Sequence, residues 1–207
     1  MQIINQSNAP LLFEQNGSIG YLILNAPPKN EMNAAFFETL SRLSEQVLPK
    51  FSLKGLIIYG RGRHFSSGAD INGLRDQVRS ENINFFYHNV SNMLKLNDLP
   101  FPVIAAITGS CFGSALELAL ICHYRIAAER AVFAFPEVTF DLMPGLGGTI
   151  FLPQIVGKAK AIELLLSGRT LLADEALQIG LVDRVVNKND LIDTAEMLIQ
   201  RLSAQVS

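Results

Sequence analysis

The chain predicts an α/β fold, a single domain built largely on parallel strands, and three observations carry that expectation. Short, wholly apolar runs such as GLIIY (residues 55–59) and VIAAI (Val103–Ile107) have the character of strands buried on both faces. Segments with apolar residues three and four apart alternate with these runs, as expected of helices packed across such a sheet. The 207 residues, 49% of them hydrophobic, suffice for one sizeable core, and no linker, low-complexity tract or internal repeat divides them.

Taken in order, Ile19–Leu24 (IGYLIL) alternates like a strand and ends before Pro27 and Pro28, which cannot extend a ladder. Asn33 is placed to cap a helix over residues 34–50, where Phe37, Leu40, Leu43 and Val47 share a face. The strand at 55–59 runs into the loop GRGRHFSSGADI (60–71), whose small residues permit a ligand to approach the backbone. A helix over 83–96 turns Phe86, Val90, Met93 and Leu94 inward and stops before Pro100 and Pro102. Val103–Ile107 is the next strand, followed by the glycine turn TGSCFGS and a helix over 114–122. Tyr124–Ala128 and Val132–Ala134 read as short strands, and MPGLGGT (143–149) as a second glycine-rich turn leading into a helix over 150–156. Helices over 158–166, 173–179 and 191–202, with a strand at 182–186, complete the chain.

A net charge of -2 with 17% charged residues offers neither a basic surface for nucleic acid nor an acidic tail. Two cysteines, Cys111 and Cys122, both in apolar runs, argue against a disulfide framework and for a reducing compartment. The start MQIINQSNAPLLFEQ lacks a secretory pattern, and no apolar run reaches the roughly 18 residues of a membrane span. The expectation is a cytoplasmic protein without membrane or nucleic-acid partners.

Within 103–149, Glu117 and Glu137 stand in otherwise apolar sequence among clustered glycines. Carboxylates are rarely buried without compensation, and two in one dry pocket divide acid and base roles, because burial and mutual repulsion push their pKa values apart. Surface exposure of each on its own element is the alternative. The loops SSGAD and FGSAL could present backbone N–H groups to one developing oxyanion, although each loop alone is also ordinary turn chemistry. A competing signal is Gly109-Ser110-Cys111-Phe112-Gly113, which has the form of a nucleophile elbow with Cys111 as nucleophile and needs His64, His88 or His123 as base. A buried cysteine serving as a small hydrophobe is the plainer reading. Histidines and cysteines lack metal-ligand spacing, and GRGRHF breaks the dinucleotide-binding glycine pattern. Asp70 is read as a brace of its loop, and Asp141 is an acid without assignment.

Together HFSSGADI, PFPVIAAITGSCFGSALELAL, YRIAAERAVFAFPEV, MPGLGGT and ALQIGLVDRVV resemble, in order and spacing, the crotonase family of enoyl-CoA hydratases and isomerases. The resemblance spans about residues 12–202 and implies a crotonase-like spiral of ββα units, homotrimers or dimers of trimers, and an acyl thioester held by two backbone N–H groups. By motif, those oxyanion donors fall on Ala69, after Gly68, and Ser114, after Gly113. The segment around Ser67, with Asp70 and Ile71 beyond it, and the residues Lys29, Asn30 and Met32 match regions that contact coenzyme A. Glu117 and Glu137 match the two catalytic glutamates of hydratases. Coenzyme A enters as part of the substrate; no cofactor and no metal is implied.

Gly145 stands where the dienoyl-CoA isomerases and aryl-CoA dehalogenases carry an aspartate, and Glu117 stands where simple 3,2-enoyl-CoA isomerases are apolar, so the resemblance favours hydration across a 2,3 double bond. Ser114 occupies a position commonly glycine, His123 one commonly aspartate, and Asp141 one frequently glycine. The resemblance also implies a short member without the family's C-terminal helical segment. That leaves three alternatives: a 3,2-enoyl-CoA isomerase, an enzyme of acyl-carrier-protein thioesters, and a non-catalytic binding subunit.

Overall fold

The computed structural model describes residues 2–3, 8–70 and 83–204. Its main sheet has seven strands in the order β1-β2-β3-β4-β5-β7-β10: β1 (Gln2–Ile3), β2 (Leu11–Asn16), β3 (Ile19–Leu24), β4 (Gly55–Gly60), β5 (Val103–Ile107), β7 (Tyr124–Ala128) and β10 (Arg184–Val186). The pairs β1/β2 and β2/β3 are antiparallel, and every pairing from β3 to β10 is parallel. A second, three-stranded sheet joins β6 (Ser110–Phe112), β8 (Val132–Ala134) and β9 (Leu171–Leu172).

One face of the main sheet carries the larger core, where Leu22, Leu24, Leu56, Ile58, Val103, Ala105 and Ile107 meet α1 (Ala34–Arg42), α2 (Ile83–Asn97) and α3 (Ser114–Ile121). The opposite face, with Tyr21, Ile23, Ile57, Ile104 and Ile126, is covered by Leu191, Ala195, Leu198 and Ile199 of α7 (Leu191–Ala204). Both faces being covered is why the central strands read as continuous apolar runs. Between β8 and β10 lie a single 3-10 turn (Pro136–Phe140), α4 (Gly148–Val156), α5 (Lys158–Ser167) and α6 (Ala173–Gln178).

Asn33 caps α1 as expected, accepting from the Phe36 N–H. The predicted 34–50 helix is α only to Arg42, then widens through one π turn before tightening into a 3-10 turn at Leu48–Lys50, where Pro49 cannot donate to an α ladder. In α2, Met93 is buried and Val90 and Leu94 are half-buried; Ile71 and the side chain of Phe86 lie outside the described residues. The strand expected over 182–186 begins only at Arg184, because the Arg125 N–H donates to the Asp183 carboxylate instead of to a backbone carbonyl, and Val182 is turned into the core. The segment Gly109–Gly113, expected as a turn, is mostly strand: β6 pairs with β8 on one side and bridges Ser66 on the other.

Candidate active site

Glu117 lies in the first turn of α3 and is 1% exposed. Its Oε1 accepts the N–H groups of Leu146 (2.7 Å) and Gly148 (2.8 Å), so the MPGLGGT turn closes over it. Glu137 sits in the 3-10 turn after β8 and is 8% exposed. Its Oε2 is buried with no hydrogen-bond partner, and a Cβ added at Gly113 would stand 2.8 Å from its Oε1. The two acids, twenty positions apart in sequence, thus meet at the N-terminal end of α3.

Burial pushes the Glu117 carboxyl up to about 8; the Gly148 and Leu146 N–H groups oppose the rise and the neighbouring Glu137 charge adds to it. Burial likewise pushes Glu137 up to about 7, with its own backbone N–H opposing. A pair with such values holds a proton near neutrality and can present one acid and one base to a single reactant.

The loop from β4 is held against this end of α3 by backbone pairing. Ser66 donates to Ser110 O (3.0 Å) and accepts from the Phe112 N–H (3.2 Å), while Met32 donates to Gly68 O (2.9 Å) and accepts from the Asp70 N–H (3.4 Å). In this parallel bridge Met32 spends both of its groups, so the N–H of Ala69 faces away from Met32. Ser114 is the first residue of α3, so its N–H has no acceptor within the helix. Gly68, at φ +94°, brings the two segments together: a Cβ there would stand 2.6 Å from Phe112 O and 3.6 Å from the Ser114 nitrogen.

A cleft of about 470 Å³ beside this loop is lined by Lys29, Glu31, His64, Ser67, Ala69, Asp70 and Ser110. Lys29, Ser67, Ala69 and Asp70 therefore stand together in one cleft. Asn30 and Met32, expected to contact a ligand, instead point inward, each 1% exposed. Met32 is part of the core. Asn30, at φ +52°, donates through Nδ2 to Arg61 O, His64 O and Phe65 O and accepts the Ala26 N–H at Oδ1. Its amide pins the loop that ends at Ala69, a positioning role the sequence pattern does not disclose. Asn30→Ala is expected to lower stability by about 2–4 kcal/mol, measured by denaturant unfolding, since it orphans buried carbonyls at a left-handed residue.

Cys111 does not fit the nucleophile reading. Burial in β6 drives its thiol well above the usual range, and the Nδ1 of His64 already accepts the Ser110 N–H. His123 Nδ1 is likewise taken up by the Val103 N–H. Among the described residues no three His, Cys, Asp or Glu side chains gather as metal ligands, and no helix is long and apolar enough to cross a membrane.

The sequence model of the enoyl-CoA hydratase/isomerase family matches residues 14–207. The human peroxisomal bifunctional enzyme is 37% identical over 190 residues, covering 92% of this chain and 25% of that protein. The chain thus spans about a quarter of the length of these first relatives. A Bacillus subtilis (strain 168) protein named "Probable enoyl-CoA hydratase" is 35% identical, with 89% of this chain and 72% of that protein covered. A solved Thermobifida fusca YX structure in complex with acetoacetyl-CoA superposes with a TM-score of 0.88 at 29% identity, covering 96% of this chain and 82% of that one.

Proposed function

Because this chain belongs to the enoyl-CoA hydratase/isomerase family, we propose that it hydrates 2-enoyl thioesters of coenzyme A, with Glu117 and Glu137 as its acid–base pair. The observation that carries this reading is the pair of buried carboxylates, one anchored by two N–H groups and the other with a buried oxygen left unpartnered. A simple proton shuttle needs one such acid; water addition across a double bond needs a base for the water and an acid for the carbon that receives a proton.

The Ala69 and Ser114 N–H groups would polarise the thioester carbonyl toward an enolate, stabilising the charge that develops in the transition state. Water held between Glu117 and Glu137 loses one proton to the ionised member as its oxygen bonds C3. The protonated member supplies the proton to C2, and the shared proton is restored between the acids. Coenzyme A as the carrier is supported by the cleft that Lys29, Ser67, Ala69 and Asp70 line beside the loop, and by the relative solved with acetoacetyl-CoA. Exposed Met143, Ile150 and Leu166 are apolar side chains available to an interface between copies of the chain, in keeping with a homotrimeric assembly.

A direct test follows a 2-enoyl-CoA and a 3-enoyl-CoA side by side. Loss of the conjugated 2-enoyl absorbance with water addition supports the reading. Conversion of the 3-enoyl substrate without hydration replaces it with the isomerase, and no turnover of either, with stable association with another protein, replaces it with a binding subunit.

The raised carboxyls also set a stability signature. Below pH 4.5 Glu117 is protonated whether folded or not; as pH rises toward about 8, the unfolded chain ionises first and the native state loses stability. Glutamine cannot ionise. Glu117→Gln is therefore expected to unfold at a higher temperature than the parent at pH 8, by an amount worth on the order of 2–4 kcal/mol, with the gap closing toward pH 5 in calorimetric scans.

A further inference from the structure

A second cavity, of about 710 Å³, opens at the carboxyl ends of three neighbouring parallel strands: Thr108 follows β5, Ala128 ends β7 and Asn187 follows β10. Arg63, Arg130 and Lys188 line it against a single carboxylate, Glu129, in a chain whose overall charge is -2. Among the described residues none of these three cations has an ion-pair partner.

The floor of the cavity is rigid. Gly109, at φ +54°, lets the β4 loop lie on the β5–β6 turn so closely that a Cβ would stand 2.5 Å from Arg63 O and 2.6 Å from His64 Nδ1. His64 Nδ1 accepts the Ser110 N–H at 3.0 Å, so that nitrogen carries no proton and the neutral ring's donor is Nε2. His64 and Ser110 also line the 470 Å³ cleft beside Ala69, so the two cavities share a wall.

The geometry points to this cavity as a binding site for a phosphate-bearing small molecule, held by the two guanidinium forks, the Lys188 ammonium and the His64 N–H. Arginine forks match phosphate oxygens two at a time, and cations without ion-pair partners give up no existing salt bridge on binding. The phosphate can come from a free nucleotide or from the phosphorylated end of the thioester carrier, and the two sources are separable by experiment.

The test titrates ADP and inorganic phosphate into the full chain by calorimetry, alongside the exposed double variant Arg130→Ala/Lys188→Ala with its unfolding temperature as a folding control. The expected result is salt-sensitive binding of both probes, with the dissociation constant of ADP raised tenfold or more in the variant. If ADP and coenzyme A compete, and the variant raises KM for an enoyl-CoA but not for an enoyl-pantetheine, the carrier supplies the phosphate. If they bind together, a free nucleotide does. Because the titration needs no turnover, it is read independently of the hydratase assignment. Absence of ADP and phosphate binding at millimolar concentration, or equal binding by the folded double variant, overturns the proposal.

Discussion

Glu137→Gln is expected to lower kcat for hydration of a 2-enoyl-CoA by about 100- to 10,000-fold, and Glu117→Gln by a similar factor, with substrate binding largely kept. Glutamine preserves the size of each side chain. At position 117 its carbonyl can still accept the Leu146 and Gly148 N–H groups, so the MPGLGGT turn stays closed. What disappears is the ionisable carboxyl that takes up and gives back a proton. On the proposed mechanism the two acids act on one water, so removing both is expected to cost little more than removing one. Steady-state rates of the two single variants and the double variant check this, with coenzyme A binding as the control for folding. Hydration at the parental rate in both single variants would remove these residues from the chemistry.

Much of this arrangement was legible in the sequence, for identifiable reasons. The central strands are buried on both faces and so appear as uninterrupted apolar runs, and Val103–Ile107, Tyr124–Ala128 and Val132–Ala134 lie where that pattern puts them. Strand β2 escaped notice because LLFEQN turns from apolar to polar along its length rather than alternating, its first four residues being buried against β1, β3 and the core. Strand β6 was hidden by flanking Gly109 and Gly113, which are turn signals locally but here begin and end a three-residue ladder. The acids stood out because carboxylates in greasy sequence are rare. Their anchoring did not, since nothing local to Glu117 indicates that Leu146 and Gly148 will donate to it. Asn30 was legible only as polar, and its inward turn depends on three carbonyls more than thirty residues away.

Gly68→Ala is expected to lower kcat by about 100- to 1,000-fold, the cost typical of losing an oxyanion donor. A methyl group at position 68 would stand 2.6 Å from Phe112 O, inside any tolerated contact, at a φ of +94° that alanine resists. The loop must retreat from the start of α3. On the proposed mechanism the Ala69 and Ser114 N–H groups then no longer converge on one oxygen, and a carbonyl left with one donor becomes an enolate with difficulty. Backbone strain alone would also destabilise the fold, so the control is Gly17→Ala. That glycine is left-handed too, at φ +58°, but a Cβ there meets nothing within 4 Å. Its variant is expected to lose about 1–2 kcal/mol in denaturant unfolding and keep the parental rate. If folded Gly68→Ala stays within a few-fold of the parental kcat, the close approach of the two loops is packing and the carbonyl is polarised elsewhere. If it loses two orders of magnitude while Gly17→Ala does not, the rate tracks the approach of the Ala69 loop to Ser114 rather than the cost of a left-handed alanine.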